Sequence, residues 1–80
     1  MRIFPNPVSN ALNIEFVALR RVDARLQLLN AGGQLLSQQS IVTVPGENSI
    51  QLDLKELPAG LYYVSVTALE NSLRYKIVVQ

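Results

Sequence analysis

The sequence predicts an all-β protein, a small antiparallel β-sandwich of six to seven strands. Apolar residues recur with a period of two along almost the whole chain, the pattern of half-buried strands. Turn-forming clusters such as Asn30-Ala31-Gly32-Gly33 and Pro45-Gly46 separate the periodic runs. No connection between runs is long enough for a helical crossover, so neighbouring strands pair antiparallel.

The elements follow in order. Phe4-Pro5-Asn6-Pro7 folds back as an irregular or short edge strand, because neither proline can donate to a ladder. Leu12, Ile14 and Phe16 alternate with Asn13 and Glu15. Leu26 and Leu28 alternate with Arg25 and Gln27, and a further strand covers Gln34 to Ser40. Ile50, Leu52 and Leu54 alternate with Gln51, Asp53 and Lys55; Tyr62, Val64 and Val66 alternate with Tyr63, Ser65 and Thr67. The last strand sets Leu73, Tyr75, Ile77 and Val79 against Arg74, Lys76, Val78 and Gln80. The expected core is Leu12, Ile14, Phe16, Leu26, Leu28, Ile50, Leu52, Leu54, Tyr62, Val64, Val66, Tyr75, Ile77 and Val79. Val17 to Gln38 is rich in helix formers, with Leu19, Val22, Leu26 and Leu29 at helical spacing, but Gly32-Gly33 breaks it.

The turns have a mechanism. In Asn30-Ala31-Gly32-Gly33 a type I turn is closed by a left-handed glycine, Gly33 or failing that Gly32. In Pro45-Gly46 the proline presets φ and the glycine takes the positive-φ position. Glu70-Asn71-Ser72 forms a polar tip between the last two strands. Leu57-Pro58-Ala59-Gly60-Leu61-Tyr62 is a turn leading to a tyrosine at a strand start, as in the tyrosine corner of immunoglobulin-like sandwiches. Tyr62 faces inward, so its hydroxyl needs a buried partner on the Leu57 to Ala59 backbone. Tyr63 faces outward.

Composition narrows the chemistry. At 8.9 kDa a folded chain exposes roughly 4,800 Å², and about 63% of the unfolded surface is buried, the low end for an independent domain. One domain over residues 1–80 is expected. Seven Lys plus Arg against six Asp plus Glu leave a net charge of +1, too weak a field to recruit nucleic acid. The chain has no cysteine and no histidine, which removes disulfides, thiolate chemistry and, in practice, structural zinc. Arg2, Asn6, Asn10, Asn13 and Glu15 interrupt any apolar stretch of signal-peptide length near the start.

Catalysis finds little support. The carboxylates Glu15, Asp23, Glu47, Asp53, Glu56 and Glu70 show no spacing that marks a dyad. Asp53 and Glu56 with Glu47 lack the alternating ligand loop of a calcium site. Arg20, Arg21 and Arg25 cluster, and Arg74-Tyr75-Lys76 interleaves charge with an aromatic, as a single-strand binder would. Parity nevertheless puts Tyr75 on the apolar face and the cations opposite. No enzyme activity and no cofactor are expected.

Phe4-Pro5-Asn6-Pro7-Val8-Ser9-Asn10, Leu26 to Gly33, Leu57-Pro58-Ala59-Gly60-Leu61-Tyr62-Tyr63-Val64-Ser65-Val66 and Lys76-Ile77-Val78-Val79 stand in the order of a known family. From residue 4 to residue 80 the chain resembles the type A C-terminal sorting domain of the bacterial type IX secretion system, found on exported proteins of the Bacteroidota. Gln34 and Leu29 depart from the residues most frequent in that family. The resemblance implies an immunoglobulin-like sandwich whose fold-defining residues here are Pro5, Asn6, Pro7, Gly33, Pro58, Gly60 and Tyr62. It implies a non-catalytic signal, read by an outer-membrane translocon at Lys76, Ile77, Val78, Val79 and Gln80. A sortase-like protease then typically removes the domain, with the cut at or before the first few residues. The carrier would be a larger protein, passing through the periplasm to the cell surface or medium, and Met1 an excision start. A carbohydrate-binding or fibronectin-like accessory module is the alternative. Pairing through strand edges into a weak dimer is a further expectation.

Overall fold

The computed structural model describes residues 1–69 and 71–80. It contains seven strands: β1 Arg2–Phe4, β2 Ala11–Ala18, β3 Asp23–Asn30, β4 Leu35–Val42, β5 Gly46–Asp53, β6 Gly60–Ala68 and β7 Asn71–Val79. The stretch from Val17 to Gln38, the only candidate for a helix, forms parts of three strands. Two sheets result, one in the order β1-β2-β5 and the other β4-β3-β6-β7. Every strand pairing is antiparallel. The chain is an immunoglobulin-like sandwich with four strands facing three.

The core lies between the sheets, built from Val8, Leu12, Ile14, Leu26, Leu28, Leu54, Tyr62, Val64, Val66, Ile77 and Val79. Ten of these were expected from alternation, because a strand with one solvated face must place every second residue inward. Phe16, Ile50 and Leu52 only half enter, packing against the cluster from its margin. Tyr75 is a correction. It shares its face with Val64, its partner across β6, yet it is 36% exposed. β7 is an edge strand, and the segment that covers it at Val8 reaches only its last residues. Val8, Ala24 and Leu29 are buried without having been expected there. Leu29 is buried on the outer face of the four-stranded sheet, opposite Tyr63, and the register shift beside it in the β3–β4 ladder leaves Leu36 of β4 as the extra residue.

The turns form largely as expected. Gly33 has φ 87° and Gly46 φ 96°, the region where a Cβ would clash with the backbone. Asn71 and Ser72 belong to β7, paired with Ala68 and Thr67, so the polar tip is shorter than expected. Glu70 lies outside the described residues. Leu69 takes φ 56°.

The exposed surface is 5254 Å², above the roughly 4,800 Å² expected for this mass. Two features are consistent with the excess. β4 overhangs the three-stranded sheet, leaving all of it but Ile41 exposed. At the end of the sandwich near Phe16 and Val66, the sheets part around open cavities of about 810 and 320 Å³, lined in part by Leu73.

Candidate functional site

The expected recognition segment, residues 76–80, closes the four-stranded sheet and meets the start of the chain. Pro5, Asn6 and Pro7 cross from β1 to the free edge of β7, with cis peptide bonds at Phe4-Pro5 and Asn6-Pro7. Val8 then runs parallel to Val79. The Val8 N–H donates to the Val78 carbonyl at 2.8 Å, and the Gln80 N–H donates to the Val8 carbonyl at 2.9 Å. Asn6 completes the ladder with its side chain. Its Oδ1 accepts from the Val78 N–H at 3.0 Å, and its Nδ2 donates to the Lys76 carbonyl at 3.4 Å. Proline cannot donate at positions 5 and 7, so the asparagine amide supplies a donor and an acceptor to the edge.

This clasp changes how the terminal strand can be read. An unoccupied edge could accept a partner strand through its backbone. Here the outward Val78 amide and carbonyl, the Gln80 amide and the Lys76 carbonyl are already bonded. What remains outward is side chains. Lys76, Val78 and Gln80 are exposed beside the exposed Pro5, Asn6 and Pro7, whereas Ile77 and Val79 are buried in the core. The five residues expected to act together thus divide into three that can touch a partner and two that hold the strand down.

The surrounding outer face is apolar and cationic. Leu61 pairs with Val78, Tyr63 with Lys76 and Ser65 with Arg74. Tyr63, the ring expected to face outward, is half-buried, with the Arg74 guanidinium 5.9 Å from its centroid. Tyr75 stands on the opposite face from Arg74 and Lys76, so rings and cations do not interleave there.

The other fold-defining residues sit at the same end. The Tyr62 hydroxyl donates to the Pro58 carbonyl at 2.6 Å, closing the expected tyrosine corner. Gly60 opens β6 opposite Val79, where a methyl group would sit in ordinary contact, 3.9 Å from the Tyr62 ring. Gly33 closes the β3–β4 hairpin at the same end of β3, where Asn30 pairs with Tyr62. Of the acidic residues considered for calcium, Asp53 bonds the Lys55 N–H and ammonium at 3.0 and 3.7 Å, and no metal-holding group of side chains occurs among the described residues.

Sequence reasoning missed Val8 and Asn6 as partners of β7. No periodic signal could reveal them, since they pair with residues about seventy positions away. The only hint was that a proline-flanked asparagine needs bonds its neighbours cannot make.

Together these features define a small immunoglobulin-like module whose two terminal segments are latched into one surface. The chain belongs to the family of secretion-system C-terminal sorting domains, whose profile matches residues 2–80. It is a C-terminal sorting signal of the type IX secretion system, the kind of tail carried by proteins that are secreted or held at the outer-membrane surface. The family is one of signals, not catalysts. Its role implies contact with the type IX machinery, and no helix among the described residues is long and apolar enough to cross a membrane. No curated protein matches the chain.

Proposed function

We propose that the outer-membrane translocon reads this domain at the terminal strand, through the outward side chains of Lys76, Val78 and Gln80 presented beside Pro5-Asn6-Pro7. The clasp supports this reading, because it occupies the backbone edge of β7 and leaves those side chains as the accessible part of the strand. Ile77 and Val79 contribute by anchoring the strand in the core. On this reading residues 1–80 form one non-catalytic domain excised from a larger cargo protein. The cargo passes through the periplasm, and a sortase-like protease removes the domain by a cut at or before its first residues.

The test is export of a reporter that carries a signal peptide and ends in residues 1–80, in a type IX-competent bacterium. Lys76→Glu combined with Val78→Ser changes the outward face alone. The expected result is that the unaltered fusion reaches the surface or medium while the double variant stays in the periplasm with an unchanged melting temperature. Equal export of both would overturn the assignment to the terminal strand.

A further inference from the structure

The four sheet edges of this sandwich are not alike. β1 is only three residues long and carries Arg2, which bonds Glu15 at 3.1 Å. The edge of β5 is preceded by Pro45 and carries Glu47 and Asp53. The edge of β7 carries Arg74 and Lys76 and is clasped over its last residues. Short length, proline, charge, a bulge and a covering segment are devices by which folded proteins stop an edge from pairing. Among the described residues β4 has no proline, no charge and no covering segment, and its one bulge, at Leu36, lies at its start. Its eight residues, Leu-Leu-Ser-Gln-Gln-Ser-Ile-Val, pair with β3 alone among the described residues. They lie in a stretch from Leu26 to Gly46 that contains no charged residue.

We infer that β4 is a docking edge for a second copy of this chain, joined by antiparallel β4–β4 pairing about a two-fold axis. Two observations select that occupant. First, the edge is close to a palindrome, with two aliphatic residues, Ser-Gln-Gln-Ser, and two aliphatic residues again. A two-fold axis at Gln39, clear of the bulge, sets Leu36 opposite the second copy's Val42 and Gln38 opposite its Ser40. Polar residues meet at the centre and no charge is desolvated, which is the self-complementarity a two-fold interface requires. Second, β4 overhangs the sandwich. Ser37 and Gln39 stand on the same face as the buried Leu28 and Leu26, their partners on β3, yet remain exposed. A second copy joins the two four-stranded sheets into one of eight and takes up the free backbone edge of the overhanging strand. The clasped end of β7 is at the far margin of the same sheet, so the surface assigned to the secretion machinery stays open in the dimer.

Sedimentation velocity on residues 1–80 over a hundredfold concentration range tests the inference. A concentration-dependent dimer is expected. Gln38→Lys places like charges across the axis and raises the dissociation constant about tenfold or more, as does Gln38→Glu, while an equimolar mixture of the two restores the dimer. Gln51→Lys, on the edge of β5, leaves it unchanged. Should Gln38→Lys lose the folded circular-dichroism spectrum, Ser40→Glu serves in its place. A chain monomeric at every concentration overturns the inference, and so does a dimer that Gln38→Lys and Ser40→Glu leave intact. Export plays no part in this readout, so it stands apart from the sorting assignment.

Discussion

Three asparagines do the work of missing backbone in this domain. Asn6 bonds the β7 edge with both atoms of its amide. Asn30 accepts the Gly32 and Gln34 N–H groups at 3.0 and 2.9 Å, and its Nδ2 donates to Gln34 Oε1 at 3.1 Å. Asn48 accepts the Val44 N–H at 2.9 Å and donates to the Val44 and Gly46 carbonyls. A short side chain carrying one carbonyl and one NH₂ is the nearest mimic of a peptide group. Asn6→Ala therefore strips two bonds from the Val78 and Lys76 backbone. Because the site is exposed, water replaces part of the loss, and a destabilisation of about 1 kcal/mol is expected. Amide exchange separates this from a general loosening: Val78 should exchange much faster in the variant, while Val64 in β6 changes only by the global stability difference. Tyr62→Phe removes the 2.6 Å bond to the Pro58 carbonyl and should cost about 1 kcal/mol in a denaturant titration, with the ring still packed.

At the scale of elements, alternation identified strands well and connections poorly. Parity placed Leu12, Ile14, Leu26, Leu28, Val64, Val66, Ile77 and Val79 correctly, because a sheet with one solvated face leaves a two-residue rhythm. Parity says nothing about coverage, and Tyr75 failed for that reason. Nor does it foresee burial on the outer face, so Leu29, paired there with Tyr63, was missed. The connections between sheets were unreadable for another reason: they are held by bonds between segments distant in sequence. Thr43 is the clearest case. Its hydroxyl donates to the Arg20 carbonyl at 2.8 Å and accepts the Val22 N–H at 3.0 Å, while its own N–H donates to the Val22 carbonyl at 2.9 Å. One buried threonine thus ties the β2–β3 connection to the β4–β5 connection. Thr43→Val keeps the shape but orphans the Val22 donor, and about 1–2 kcal/mol of stability should be lost on thermal or chemical unfolding. The β6–β7 turn carries the opposite opportunity. Leu69 holds φ 56° and is 64% exposed, an unfavourable conformation for a leucine. Leu69→Asn should raise stability by about 1 kcal/mol, measured as a higher melting temperature.

For the whole molecule, folding and the proposed recognition surface share one strand, and this decides which experiment can tell them apart. Deleting Lys76 to Gln80 is the direct way to ask whether the terminal segment is read. The deletion also takes Ile77 and Val79 out of the core, and burial of each contributes about 1.5–3 kcal/mol. It exposes Val8, which is now fully covered, and it ends the clasp on Asn6. A domain of this size has a net stability of about 4–12 kcal/mol, so the deletion removes most of it. Residues 1–75 alone should therefore show no cooperative thermal transition and should fall to protease where the full chain resists. A failure of that truncated tail to support export would then report unfolding as readily as lost recognition. The outward substitutions at Lys76 and Val78 avoid the ambiguity, since both side chains are exposed and their loss leaves the core intact. If residues 1–75 instead melt cooperatively, the terminal strand is an appendage and the deletion becomes a clean probe of the signal.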